Sequence, residues 1–200
     1  MARMARRSYG NRRGPARGGA SGELAELRTA RLLLRRARRD DLQAFHAILS
    51  DPRAMTYWST PPHANLAETE AWLASMIGAP PELSDDFVIV EDGEPVGKIG
   101  AWRLPEIGFV LRPDRWGRGL ASEAMAAFLP HVFARPDVDR LTADVDPRNR
   151  ASLALLTRHG FVEAGRAEAT WHTHIGACDS IYLELRADQL RSATEAGART

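Results

Sequence analysis

A short glycine-containing segment has the composition of an anion-binding turn: Trp116-Gly117-Arg118-Gly119-Leu120-Ala121-Ser122. Glycines let the backbone approach a bound group closely, and the free amide hydrogens at a helix start, aided by the helix dipole, suit a pyrophosphate. No Gly-Lys-Ser/Thr follows to hold a nucleotide γ-phosphate, and the glycine spacing is not that of a dinucleotide fingerprint. The segment therefore predicts a site for a different phosphorylated cofactor.

The elements around this segment predict one α/β domain with an antiparallel meander at its centre. Asp92-Gly93 marks the hairpin turn of that meander. A dinucleotide-binding fold would begin instead with a parallel βαβ unit. Hydrophobic periodicity predicts strands near 32–34, 87–90, 96–102, 106–111, 141–145, 161–163 and 180–185, helices near 42–49, 66–77, 119–133 and 149–159, and an aromatic loop at Trp171 between the last two strands.

At these motifs the chain resembles the GCN5-related N-acetyltransferase (GNAT) superfamily, and within it the ribosomal-protein-alanine acetyltransferase branch. The resemblance covers most of residues 27–186. It implies a GNAT fold for residues 23–190, of α/β (α+β) class, with a mixed, mostly antiparallel sheet of about six to seven strands flanked by about four helices. The segments that carry it are 106–111, 116–124, 149–152 and 159–161.

The resemblance also implies acetyl-coenzyme A as the donor, with no metal. The backbone amides of 118–122 would hold the pyrophosphate, with the Arg118 side chain adding charge, and residues 109–111 would pair with the pantetheine arm. From the residues alone, Asn149 and Ser152 are equally a helix-capping pair. The expected cofactor residues are Phe109, Val110, Leu111, Trp116, Gly117, Arg118, Gly119, Leu120, Ala121, Ser122, Asn149 and Ser152.

Acetyl transfer to an amine needs a neutral nitrogen, a polarised carbonyl and a protonated thiolate leaving group. Glu106 is the candidate base, because it resembles the strand glutamate of histone acetyltransferases; the alternative is a carboxylate that only orients the acceptor. An amide near Val110 would polarise the carbonyl. Many relatives carry a protonating tyrosine where this chain has Leu156. Tyr57, Tyr182, Ser59 and His172 are the substitutes, with water as a further one.

The acceptor is expected to be a small-molecule or peptide amine. Tyr57, Trp58 and Trp171 lie in predicted loops, where binding residues concentrate, and are the candidate acceptor contacts. Because the usual tyrosine is missing, a non-catalytic module that senses coenzyme A remains the alternative. Exposed strand edges would allow a homodimer.

Composition narrows the partners further. Six arginines and no acid in residues 1–22 leave 21 basic and 26 acidic residues in the remainder, a balance of −5. This mildly acidic body favours a cationic acceptor and gives nucleic acid no basic surface. No run is long enough for a membrane span, so we expect a cytoplasmic protein. The segments 1–22 and 191–200 are predicted to be disordered tails.

Overall fold

The computed structural model describes residues 26–190 of the 200-residue chain. The two predicted disordered tails, 1–22 and 191–200, lie outside the described residues. Among residues 26–190, no helix is long and apolar enough to cross a membrane.

One mixed sheet of eight strands runs through the described part, in the order β1-β2-β3-β4-β5-β6-β8-β7. Only β5 and β6 run parallel. The prediction of six to seven strands was one short, because β1 is a two-residue strand that pairs with β2 and has too little sequence to show a period. The strands are β1 (Leu27–Arg28), β2 (Leu32–Arg35), β3 (Asp85–Glu91), β4 (Glu94–Arg103), β5 (Glu106–Leu111), β6 (Arg140–Val145), β7 (Val162–Thr173) and β8 (Gly176–Arg186).

Five α-helices lie wholly within residues 26–190, one more than predicted, and a further helical turn occupies residues 187–190. The extra helix, α2, is a single turn that Asp51 caps through the Arg53 amide and that Pro52 starts at its first position. Asn65 caps α3 by accepting from the Glu68 amide, as its sequence predicts. The helices are α1 (Leu42–Leu49), α2 (Pro52–Met55), α3 (Leu66–Ile77), α4 (Leu120–Phe133) and α5 (Arg150–Arg158).

The two faces of the sheet carry separate hydrophobic clusters. Helices α4 and α5 pack on one face, against side chains that include Ile107, Phe109 and Leu111 of β5. Helices α1 to α3 pack on the other face, against a cluster that includes Val110. Because strand side chains alternate, Glu106 and Gly108 share the α1–α3 face with Val110.

The parallel strands β5 and β6 are paired at one position only, Glu106 with Thr142. The Thr142 amide donates to the Pro105 carbonyl at 2.9 Å. Beyond this point the register ends and the two strands diverge, which opens a gap in the middle of the sheet. The strand that borders this gap, β5, ends at Leu111, a few residues before the glycine-containing segment.

The last two strands form one long hairpin, so the expectation of an aromatic loop at Trp171 was wrong. Trp171 lies within β7 and pairs with Cys178 of β8. Its neighbours are β-branched or aromatic and favour a strand, and the turn comes later, before Gly176 with φ +96°. A bulge between Ala167 and Trp171 interrupts the alternation and hid the strand from pattern reading.

Candidate active site

A cleft of about 720 Å³ opens beside the end of β5, beyond the single position at which β5 pairs with β6. It is lined by the end of β5, the glycine-containing segment and the start of α5. All the sequence-predicted cofactor residues line it except Arg118. Those lining it are Phe109, Val110, Leu111, Trp116, Gly117, Gly119, Leu120, Ala121, Ser122, Asn149 and Ser152.

The glycines of the segment take the conformation that their position requires. Gly117 and Gly119 have φ of +72° and +77°, which side-chain-bearing residues rarely adopt. Gly119 caps α4, and its carbonyl accepts from the Glu123 amide at 3.0 Å. The amides of Leu120 to Ser122 therefore have no partner within the helix. This end of the cleft offers backbone donors and the positive end of a helix dipole.

The register of β5 shows which of its amides face the gap. The Arg112 amide donates to the Val96 carbonyl at 2.8 Å, and hydrogen-bonded pairs alternate along an antiparallel ladder. Lys98 and Val110 are therefore a hydrogen-bonded pair, and the Val110 amide points to β4. The amides of Phe109 and Leu111 point to the gap instead. The polarising amide expected near Val110 is thus assigned to one of its neighbours.

The Arg118 side chain does not line the cleft, which differs from the expectation that it contacts the phosphates. Its guanidinium forms two hydrogen bonds with buried Glu91, at 2.9 and 3.0 Å. Its carbonyl accepts from Arg31 at 2.9 Å. The ion pair with the buried carboxylate of Glu91 holds the Arg118 guanidinium in this position. The cations that line the cleft are Arg53, Arg115 and Arg158.

The start of α5 closes the other side of the cleft. The Ser152 amide donates to Asn149 Oδ1 at 3.2 Å, so the predicted capping pair is present. Ser122, on α4, lies 2.8 Å from His159 Nε2 at the end of α5. Burial, and after it the charge of Arg158, keeps the pKa of His159 below its usual value. The neutral ring is therefore favoured, and its Nε2 can accept from the Ser122 hydroxyl.

Glu106 starts β5 on the α1–α3 face, half-buried, where β5 and β6 begin to diverge. It does not line the donor cleft itself. Leu156, at the position of the missing tyrosine, is fully buried in the core. Of the four substitutes for that tyrosine, Tyr57 lines the cleft. No cluster of metal-ligating side chains occurs in residues 26–190.

The three aromatic residues expected at the acceptor take different places. Tyr57 lies at the cleft, and its hydroxyl donates to the Arg148 carbonyl at 3.4 Å. Trp58 is 2% exposed and packs in the core with α1 to α3, so its ring is a packing element in this structure. Trp171 donates from Nε1 to Asp144 Oδ2 at 2.8 Å.

Sequence reasoning missed Asp144. It lies on β6 between Ala143 and Val145, both of which are buried in the α4–α5 cluster. Asp144 therefore points to the α1–α3 face, like Glu106, and is 5% exposed. The available signal was an acid inside an otherwise apolar strand beside the cofactor motif.

Comparisons with known proteins agree with this geometry. Residues 31–162 match the acetyltransferase (GNAT) domain family. An uncharacterized N-acetyltransferase, p20 of Bacillus licheniformis, is 27% identical over 150 residues, which cover 70% of this chain and 83% of the relative.

Two solved structures share the fold. One is RimL, a ribosomal L7/L12 alpha-N-protein acetyltransferase in complex with coenzyme A, with a TM-score of 0.75 and 19% identity over 82% of this chain and 99% of that chain. The other is spermidine N-acetyltransferase from Vibrio cholerae in complex with coenzyme A and spermine, with a TM-score of 0.72, 19% identity and the same coverage. With the family match extending over more than half of its length, this chain belongs to the GNAT family and is an acetyl-coenzyme A-dependent N-acetyltransferase.

Proposed function

We propose that this enzyme transfers the acetyl group of acetyl-coenzyme A to a primary amine by direct attack within a ternary complex. The observation that carries the proposal is the cleft in the sheet, which joins a backbone anion site at one end to the amides of Phe109 and Leu111 at the other. A phosphate-bearing cofactor with a long, narrow arm fits such a site. The cleft volume is also within the usual range of about 300–1,000 Å³ for small-molecule sites.

The residues around the cleft suit each part of the donor. The amides of 118–122 would hold the pyrophosphate, with Gly117 and Gly119 leaving the approach open. No atom lies within 4 Å of where a Cβ on Gly117 would stand. Arg53, Arg115 and Arg158 would add positive charge at the phosphates. Phe109 and Leu111 would bind the pantetheine arm through their backbone, and Trp116, Asn149 and Ser152 would complete the walls.

The chemistry would take place where the donor cleft meets the α1–α3 face. The acceptor nitrogen attacks the thioester carbonyl, so that a C–N bond forms, the C–S bond breaks and coenzyme A leaves as a thiolate. An amide of β5 that faces the gap stabilises the negative charge on the carbonyl oxygen. Tyr57 is the candidate for returning a proton to the sulfur.

Glu106 is our proposed general base, acting directly or through water. It lies on the α1–α3 face at the pairing point with Thr142, next to the gap through which an amine would meet the thioester. A carboxylate there can take the proton that the amine loses, provided the acceptor comes within hydrogen-bond reach. Tyr57 and Trp171 are proposed to border the acceptor, whereas Trp58 would support them from the core.

The acceptor class can be tested directly. Acetyl-coenzyme A would be incubated with spermidine, peptides with free N-termini and other primary amines, while thiol release and acetylated product are both measured. We expect product from at least one primary amine, with thiol and product in equal amounts. Thiol release without acetylated product, or no dependence on any amine, would contradict transfer to a primary amine.

A further inference from the structure

Asp144 is the exception among the buried carboxylates of the described residues. Its Oδ2 accepts from Trp171 Nε1, but its Oδ1 is buried and has no hydrogen-bond partner in residues 26–190. Each of the other buried carboxylates there forms an ion pair with an arginine or a lysine. These pairs are Asp41 with Arg35, Asp85 with Arg36, Asp86 with Lys98, Glu91 with Arg118, and Asp146 with Arg148.

The contrast with Asp146 is the sharpest, because it lies two residues further along the chain. Asp146 is fully buried and accepts from the Arg148 amide at 2.8 Å and from its guanidinium at 2.6 and 2.9 Å. Its charge is balanced within the fold. Asp144 has only a neutral indole donor, and a buried carboxylate oxygen without a donor is costly. Asp144 thus differs from the other buried carboxylates in having no cationic partner among residues 26–190.

The position of Asp144 indicates where that cation comes from. Thr142 of β6 pairs with Glu106 of β5, and each strand then continues on its own side of the gap. Two residues further on the same face, Asp144 of β6 and Gly108 of β5 lie on opposite sides of the gap. Gly108 has no side chain to fill it. Asp144, the carboxylate without an ion pair, thus lies on the same face of the sheet as Glu106, the proposed base.

We propose that Asp144 binds the ammonium group of a cationic acceptor, and that Trp171 orients the carboxylate for it. The proposal rests on the proposed function and gives it a substrate class, aliphatic amines that are positively charged in solution. The ammonium supplies the ion pair that every other buried carboxylate already has. Oδ1 is shielded from solvent in this structure, so entry of the ammonium requires neighbouring side chains to move.

The test compares Asp144→Asn with Asp146→Asn in the full-length protein, with spermidine as the charged probe and 2,2,2-trifluoroethylamine as a primary amine that is largely neutral at the working pH. Asparagine keeps the shape and an oxygen for the Trp171 indole but removes the charge. We expect Asp144→Asn to raise KM for spermidine by about 30-fold or more, the lower end of the usual cost of removing one partner of a buried charge pair. Its KM for trifluoroethylamine and its affinity for acetyl-coenzyme A should change by less than about threefold, because these steps do not use the ammonium contact.

Asp146→Asn should lower the melting temperature but leave the preference for spermidine over trifluoroethylamine intact. Equal loss for both amines in Asp144→Asn would overturn the proposal and reduce Asp144 to a structural role. Calorimetry of spermidine binding to the coenzyme A complex provides a readout without turnover. Unchanged spermidine affinity in Asp144→Asn, or no spermidine binding by the wild-type protein, would also overturn it. Acetylation of a primary amine with no effect of Asp144→Asn would leave the proposed function standing without this inference.

Discussion

The donor cleft and the α1–α3 face next to it are built from different parts of the chain. The donor-binding groups proposed in the cleft are mostly backbone amides, from β5 and the start of α4, next to two left-handed glycines. The α1–α3 face presents side chains from distant segments, with Glu106 on β5, Asp144 on β6 and Trp171 on β7. Donor binding should therefore depend on backbone conformation and tolerate most side-chain truncations. Binding and acetylation of the acceptor should depend on individual charged side chains, such as Glu106 and Asp144.

The largest expected effect is on donor binding by Gly119→Val. A valine at φ +77° is strained by about 1–2 kcal/mol, and relief of that strain would shift the following amides, which are proposed to hold the pyrophosphate. The Cβ itself would lie 3.6 Å from the Arg31 side chain. Affinity for acetyl-coenzyme A, measured by calorimetry, should fall on the order of 100-fold or more, equivalent to about 2.7 kcal/mol.

Gly93→Val is the matched control for that substitution. Gly93 has φ +83° in the β3–β4 turn, with nothing within 4 Å of its Cβ position, and it does not line the cleft. The two variants should lose similar stability, but Gly93→Val should keep its affinity. Equal affinities in both variants would show that the backbone of the glycine-containing segment does not hold the donor.

The next effect is on turnover by Glu106→Gln. Loss of a general base lowers kcat by about 10²–10⁴-fold, whereas acetyl-coenzyme A affinity should stay nearly intact, because Glu106 does not line the donor cleft. The acidic limb of the pH–rate profile should flatten as well.

Glu184→Gln controls for charge on this part of the sheet. Glu184 pairs across β8 and β6 with Thr142, the same residue that pairs with Glu106 from the other side. It should retain near-normal turnover. If Glu106→Gln behaves like Glu184→Gln, Glu106 is structural and the amine loses its proton to solvent.

A smaller effect separates two arginines. Arg158 lines the cleft, so Arg158→Ala should weaken acetyl-coenzyme A binding by about 3–10-fold, and less at high salt. Arg118→Ala should leave affinity within about twofold, because its guanidinium is paired with Glu91 outside the cleft. In Arg118→Ala, Glu91 would still form an ion pair with Arg115 at 3.2 Å, so the variant should lose little stability. The reverse order of affinities would restore Arg118 as the phosphate contact.

The smallest effect concerns pH and the Ser122–His159 pair. The folded pKa of His159 is lowered, so below its unfolded value of about 6.5 the unfolded chain binds a proton that the folded one does not. This contribution to stability is complete above that pH and is lost as pH falls towards the folded pKa. In His159→Gln, which keeps an acceptor for Ser122, the unfolding free energy measured by denaturant should fall less steeply with acid. An unchanged slope would mean that folding does not lower the pKa of His159.

The difference between the donor cleft and the α1–α3 face also explains what could be predicted from the sequence. The predicted cofactor residues other than Arg118 line one cleft, because glycine conformation, helix starts and strand periodicity are determined by neighbours in the chain. The Arg118 guanidinium lies elsewhere because it pairs with a buried acid from a distant strand.

On the acceptor side, local pattern was a poor guide. Trp58 lies in a loop by sequence, yet its ring fills the core between helices that no local rule brings together. Trp171 was hidden by a bulge. Whether Asp144 has a cation depends on the divergence of β5 from β6, which is a property of the assembled sheet.

The central claim is that the cleft between β5 and β6 holds the donor and presents its thioester to the α1–α3 face. A crystal structure of the complex with coenzyme A tests it most directly. The account predicts the pyrophosphate on the amides of 118–122, the pantetheine arm beside Phe109 and Leu111, and the sulfur on the side of the gap that carries Glu106 and Asp144. Coenzyme A bound outside this cleft, or with its sulfur pointing away from those two carboxylates, would contradict it.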